Sequence, residues 1–166
     1  MTSLILTDAV FVGYLTVVLR YLLYFLVLCL LLVISLTDAE TMLIPDGLNV
    51  ALLACGILAV FVVPEVAMTS RLIGLFCISL PLLVFSLVVP GSFGGGDMKL
   101  MAAAGFLLGW QGTITAAAIG LCVGGVYGIY LLATGRKRVR EHFALGPSLC
   151  AGIAVALLLG DAMLFW

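Results

Sequence analysis

Charge is what this sequence has least of. Asp, Glu, Lys and Arg make up 9% of its 166 residues and hydrophobic residues 65%, against about 25% and roughly 45–50% in a soluble domain. Such a chain cannot cover a globular surface with polar groups, so a soluble domain is excluded. Histidine is nearly absent too, with His142 alone, and neither a GxSxG nor an HExxH motif occurs. A serine triad and a zinc peptidase therefore have no apparatus here, and no metal or cofactor is expected. The five cysteines (Cys29, Cys55, Cys77, Cys122 and Cys150) are odd in number, form no CxxC pair and lie in apolar stretches. They are expected to be packing residues rather than a disulfide framework. No basic surface with interleaved aromatics exists, which argues against nucleic acid. The N-terminus lacks a basic region and a small-residue cleavage site, so no cleavable signal is expected.

What remains is a set of apolar runs of roughly membrane-spanning length, and the bilayer becomes the solvent of the argument. The chain is expected to be all-α, a polytopic membrane protein with about six transmembrane helices in a single membrane-embedded domain, 1–166. The first span is placed at about 18–37, after an interfacial or partly inserted helix near 8–17, with Arg20 snorkelling at an interface. Further spans are expected at about 47–63, 71–89 and 98–110, with Pro64-Glu65 and Ser70-Arg71 bounding a polar loop. Gln111-Gly112-Thr113 is read as a turn before a span ending near Ala133, and the last span covers about 144–166. Pro45 ends the polar stretch after the first span, because it lacks an N–H and holds Ile44 extended.

Four of the seven basic residues, Arg136, Lys137, Arg138 and Arg140, fall in one short loop at 134–142. By the positive-inside rule that loop is cytoplasmic, and it suits anionic headgroups. His142, in the same loop, is read as solvated or facing headgroups. Six alternating spans then bring the loops around Asp38 and Asp97 to the same face. Asp97 ends the stretch Pro90-Gly91-Ser92-Phe93-Gly94-Gly95-Gly96, whose consecutive glycines permit positive φ and close approach of another backbone. Asp38, Glu40 and Asp46 cluster between the first two spans.

Carboxylates gathered at one membrane face have few roles. Two in close contact cannot both ionise freely, so one can take a proton from water while the other polarises a peptide carbonyl. The alternative is a small transporter or channel subunit, with Asp38 and Asp97 as a cation or proton site. A relay would need carboxylates near mid-membrane, whereas these fall at span ends. A helix-capping role for Asp97 or Asp46 is the plainest reading of each alone.

At these residues the sequence resembles the type IV prepilin peptidases, a branch of the intramembrane aspartic proteases. Gly94-Gly95-Gly96-Asp97 matches the G-x-G-D motif, and Asp97-Met98-Lys99-Leu100 with Ala102-Ala103-Ala104-Gly105 looks like that branch. The segment from Asp38 through Ile44-Pro45-Asp46 is similar to the family's first aspartate segment. Phe143-Ala144-Leu145-Gly146-Pro147-Ser148 resembles its turn into the last span, with altered spacing. The resemblance covers about residue 30 onward. It implies an endopeptidase of the inner (cytoplasmic) membrane, with its site facing the cytoplasm, that cuts the short basic leader from prepilins or pseudopilins. The cut falls after a glycine and before the hydrophobic helix. Asp38 and Asp97 match the catalytic aspartates, and Gly94, Gly95 and Gly96 are the substrate-binding candidates. Glu40, Asp46 and Lys99 are candidates for supporting roles, Lys99 as an interface or headgroup contact. Longer members carry a cytoplasmic segment with two cysteine pairs and often methylate the new N-terminus. Without that segment, peptidase activity alone is expected and a structural zinc site is not.

Overall fold

The computed structural model describes residues 2–89, 94–134 and 145–163. Residues 90–93 of the glycine stretch, the basic cluster with His142, and Phe143-Ala144 lie outside the described residues. Every regular element among those described is helical: α1 (Thr2–Thr41), α2 (Asp46–Val62), α3 (Met68–Cys77), α4 (Ser79–Val88), α5 (Gly95–Ala133) and α6 (Gly146–Met163). The all-α class expected from composition is therefore observed.

Helix α1 is continuous through residues 17 and 18, where the sequence reading separates an interfacial helix from a span. It ends where Met42 turns into the left-handed region at φ 54°, a conformation costing a non-glycine residue roughly 1–2 kcal/mol. The Met42 N–H donates to the Asp38 carbonyl, and the Leu43 N–H donates to the Thr41 hydroxyl. Pro45, the N-cap of α2, then starts the next helix at φ −59°. Asp46 follows in the first turn without capping it through its side chain, contrary to the capping role read from sequence.

The expected span at 71–89 is broken into α3 and α4 at Ile78. Pro81 explains the break. Its ring would strike the carbonyl four residues back, at Cys77, whereas in the first turn of a new helix its missing N–H is no loss. Arg71, read as part of a polar loop, is instead 1% exposed. Its guanidinium donates to the carbonyls of Val66, Ala59, Val63, Phe106 and Leu107. It thereby supplies donors to carbonyls at the ends of α2 and of the first half of α5, of which the Ala59 oxygen also accepts from the Val63 N–H.

Helix α5 reverses at Gly109, with φ 75° and ψ 175°. Only glycine takes that conformation without a Cβ penalty. The turn thus lies two residues before the Gln111-Gly112-Thr113 position read from polarity. Just before it, Gly105 lies against Gly74 of α3 so closely that a Cβ on either would overlap the other's backbone. The second half of α5 returns along α6, with Gly120 against Leu149, Gly124 against Ser148, and Gly152 against Ala116.

These contacts define two ends of a bundle. The Gly146–Asp38 hydrogen bond and the Lys99–Asp46 ion pair hold one end. The Arg71 cluster, an Arg20–Glu65 ion pair and the Gly109 reversal hold the other. Arg20 therefore has a carboxylate partner rather than only a headgroup. Burial acts to raise the Glu65 carboxyl, but the Arg20 guanidinium outweighs it and holds the group below its ordinary value. The core between the ends contains Val27, Leu31 and Ile34 of α1, Leu52 of α2, Leu100, Met101 and Ala104 of α5, and Leu149 and Ile153 of α6. Of the cysteines only Cys55 and Cys150 are buried, whereas Cys29 and Cys122 are exposed, so they do not all pack inside.

Large apolar side chains cover the outside: Leu22, Phe25, Phe61, Leu87, Val126 and Ile129 are each exposed. Such a surface is unstable in water and natural in lipid. Among the described residues, three stretches are long and apolar enough to cross a membrane: Gly13–Thr41, Met68–Val88 and Gly95–Tyr130. Two shorter apolar helices, Asp46–Val62 and Gly146–Gly160, accompany them.

Candidate active site

The Asp38 and Asp97 side chains come from distant parts of the chain and are both buried at the same end of the bundle. Asp38 lies in the last turn of α1 and is 5% exposed; Asp97 lies in the first turn of α5 and is 8% exposed. Both lie at the end of the bundle where the Gly146 N–H meets Asp38 and Ile44 packs on Gly96. Cys150 of α6, one turn beyond the Gly146 that bonds Asp38, is buried as well. Neither aspartate has a basic partner among the ion pairs of the described residues.

The two carboxylates are held differently. Asp38 Oδ2 accepts a hydrogen bond of 2.9 Å from the Gly146 N–H, at the start of α6. A Cβ on residue 146 would fall 2.7 Å from Asp38 Cγ and closer still to Oδ2. Glycine is thus the residue that lets this N–H reach the carboxylate. Pro147 follows within the first turn, where its fixed φ suits a helix start. On Asp97, Oδ1 is buried with no hydrogen-bond partner. The Asp97 backbone N–H donates to the Gly94 carbonyl at 3.1 Å, closing the turn that starts α5. An ideal Cβ on Gly94 would lie 3.4 Å from Asp97 Oδ2, an ordinary contact.

The other candidates fall around this pair rather than in it. Glu40 is exposed, two residues beyond Asp38 and so about 200° around the helix from it. Asp46 is exposed and accepts from Lys99 Nζ at 2.7 Å. That bond ties the start of α2 to the start of α5, a role not foreseen for Lys99, which was expected to meet headgroups. Gly95 has open space around it. Gly96 does not have positive φ; a Cβ there would sit 2.9 Å from Ile44 Cβ, so the glycine admits Ile44 against the start of α5. Among the described residues, no group of three or more His, Cys, Asp or Glu side chains converges as a metal site would require.

Sequence reasoning missed two participants. The Gly146 N–H was visible only as part of a turn motif, because a backbone donor leaves no mark on residue type. Cys150 gave no signal beyond its apolar surroundings. Chemically, the site offers two carboxylates and one fixed N–H donor. They are buried at one end of a bundle whose outer surface is apolar.

The family model described as "Type IV leader peptidase family" matches residues 24–129, a stretch that includes both aspartates. A prepilin leader peptidase/N-methyltransferase of Bacillus subtilis (strain 168) is 32% identical over 135 residues, covering 81% of this chain and 54% of the relative. One from Legionella pneumophila is 34% identical over 159 residues, covering 87% and 53%. One from Aeromonas hydrophila is 31% identical over 141 residues, covering 82% and 49%. The chain therefore spans about half the length of the curated relatives it matches. No solved structure matches.

Proposed function

The chain belongs to the type IV leader peptidase family, and we propose that it is a membrane aspartic endopeptidase removing the short basic leader from prepilin or pseudopilin substrates. The observation that carries this reading is the burial of Asp38 and Asp97, each at a helix end, at the same end of the bundle. The proposal extends to the peptidase half of the relatives' names. A proton or cation relay is less well served, since both carboxylates lie in end turns.

The roles of the two aspartates follow from their partners. A hydrogen bond to a charged group is worth about 1.5–3 kcal/mol. The field at the C-terminal end of α1 opposes a charge on Asp38, and the field at the N-terminal end of α5 favours one on Asp97, each by about 0.3–1 kcal/mol; the orphaned Asp97 oxygen and the Gly146 donor decide between them. Asp38, with the Gly146 N–H on Oδ2, is therefore the member that keeps its charge. Asp97, with a buried oxygen lacking a partner, holds the shared proton. Asp38 takes a proton from water as the oxygen attacks the scissile carbonyl carbon, while Asp97 passes its proton to the carbonyl oxygen. Asp97 then takes that proton back as the carbonyl re-forms, and Asp38 returns its own to the leaving amine. The sum is one peptide bond and one water converted to an acid and an amine.

Six legs are the topology proposed for the membrane: α1, α2, α3 with α4, each half of α5, and α6. The cluster Arg136, Lys137, Arg138 and Arg140 then sets the dyad end toward the cytoplasm. Single cysteines introduced at positions 40 and 112 of a cysteine-free protein should label from the cytoplasmic and outer sides respectively. Labelling of both from one side would overturn the topology.

The catalytic assignment is tested by leader cleavage. Asp38→Asn and Asp97→Asn should each abolish it, and the double variant should be hardly worse, because groups acting as a unit are non-additive. Folding should persist, since an amide of the same shape keeps the packing at either position. Full activity in both single variants would end the aspartic mechanism. An active Asp38→Asn beside a dead Asp46→Asn would move the assignment to Asp46.

A further inference from the structure

One buried polar side chain at the dyad end has no part in the mechanism above. Asn49 of α2 is 5% exposed, and both its Nδ2 and its Oδ1 are buried with no hydrogen-bond partner. Such atoms have given up water and gained nothing in exchange, so native proteins hold few of them. A further orphan lies at the same end of the bundle, Asp97 Oδ1. The two residues are complementary, since the amide can donate and an ionised carboxylate can only accept.

The helices bring them toward each other. α2 and α5 start side by side, with Ile44 against Gly96 and Asp46 bonded to Lys99. They run in the same direction, because Gly56 further along α2 meets Phe106 and Leu107. Asn49 precedes Gly56 by seven residues, about two turns, and so lies on the same face of α2, toward α5. The Ile44–Gly96 and Gly56–Leu107 contacts put Asn49 about one turn deeper in the bundle than Asp97. A helical side chain leans back over the turn before its own Cα, which carries the Asn49 amide toward the level of Asp97. Neither the amide nor Asp97 Oδ1 reaches the surface, so a partner for either must come from inside the bundle.

We infer that Asn49 is a positioning residue for Asp97, engaged when Asp97 gives up its proton; the inference rests on the peptidase reading. In that mechanism Asp97 is neutral at rest and becomes charged as its proton passes to the scissile carbonyl. Asn49 Nδ2 then donates to Oδ1, directly or across one enclosed water, and leaves Oδ2 for the reacting carbonyl. Each aspartate thereby has one oxygen held by an amide N–H, Asp38 by Gly146 from the start and Asp97 by Asn49 as its charge develops. Hydrogen bonds at an active site are often unmade in the resting enzyme and close only as the reaction proceeds. The unpaired amide weakens the resting fold, and a bond gained only as charge develops speeds the chemical step without tightening substrate binding.

The test is steady-state cleavage of a purified prepilin beside thermal unfolding, both on the full chain in detergent. Asn49→Leu should lower kcat about 10- to 100-fold, as loss of one hydrogen bond to a charged group does, with KM within about twofold. Its unfolding midpoint should hold or rise, because an apolar side chain of similar volume removes the orphaned atoms. Asn49→Thr and Asn49→Val have the same shape and differ by a hydroxyl donor, so the threonine variant should be several-fold the faster. A kcat for Asn49→Leu within about twofold of the parent, or a loss carried by KM, overturns the inference. So does a lowered midpoint in a folded Asn49→Leu, which would show the amide already bonded within the fold. If Asn49→Leu does not fold, the threonine and valine variants decide alone, and equal rates overturn it. A parent that leaves prepilin uncut ends the peptidase reading and this inference with it. A parent and an Asn49→Leu variant that cut equally fast end this inference alone.

Discussion

Replacing Gly146 by alanine should separate catalysis from folding. An added Cβ would lie 2.7 Å from Asp38 Cγ, whereas non-bonded carbons rest at about 3.5–4.0 Å. Something must yield by about 1 Å, and the carboxylate on its rotatable side chain yields more easily than α6, whose Gly152 is seated against Ala116. A 1 Å misplacement of a reacting group costs about 10²-fold in rate, close to 2.7 kcal/mol at 1.36 kcal/mol per decade. Loss of the Gly146 N–H on a charged oxygen gives a similar figure, about 1.5–3 kcal/mol. The two estimates describe one displacement and are not to be added.

Folding is not expected to suffer in proportion. Gly146 does not have positive φ, so its backbone accepts alanine, which is favoured over glycine within a helix by about 1 kcal/mol. The assay is steady-state cleavage of a purified prepilin in detergent, alongside a thermal unfolding curve. The turnover rate should fall about 100-fold with KM little changed and a cooperative transition retained. Cleavage within about twofold of the parent rate, less than 0.5 kcal/mol of barrier, would refute the role given to the Gly146–Asp38 contact.

Two other substitutions probe how the site is held. Arg71→Met leaves the buried carbonyls of Val63, Phe106 and Leu107 without the guanidinium donor, while Ala59 keeps the Val63 N–H, and should cost on the order of 3 kcal/mol or more. Arg71→Lys should recover only part, since a point charge cannot fork among five acceptors; an unchanged unfolding midpoint in Arg71→Met would refute this. Gly96→Ala should press its methyl on Ile44 and slow cleavage roughly tenfold, within the 1–3 kcal/mol typical of overpacking. Adding Ile44→Ala should restore most of the rate, and a further loss in the double variant would show that Gly96 matters for another reason.

The parts of the site that were legible in sequence are those where chemistry and chain breaks coincide. Asp38 precedes a proline-terminated turn, and Asp97 follows a run of glycines, so both announce themselves as carboxylates at helix ends. The all-α class was equally open, since little but helix keeps its backbone bonded in lipid. Long-range partners were not legible. Nothing local distinguishes Lys99 facing headgroups from Lys99 bonded to Asp46, and nothing in residue type marks the Gly146 N–H as a donor to Asp38. Arg71 could have been found. A cation beside an apolar run is either at the surface or buried with partners, and the polar neighbours Ser70 and Glu65 favoured the wrong choice. The reversal at Gly109 was displaced to Gln111-Gly112-Thr113 because hydropathy ranks turns by polarity. The backbone instead required a residue tolerating φ 75°, and Gly109 offers that inside an apolar sequence.

On the proposed assignment, the placement of Asp38 and Asp97 gives these packing details a catalytic bearing. Helices α1 and α5 carry the two aspartates, yet among the described residues they pack extensively on α2 and α6 and hardly on each other. The distance between the carboxylates is therefore set by intermediaries. On one side α6 fixes Asp38 through Gly146 and lies along the second half of α5 through Gly120, Gly124 and Gly152. On the other, α2 is joined to the start of α5 by Asp46–Lys99 and to its reversal by Arg71. An error of an ångström in any of these contacts passes to the dyad, because a close-packed interior transmits strain. The glycines that read in sequence only as helix-packing residues are thus part of what positions the proposed acid and base.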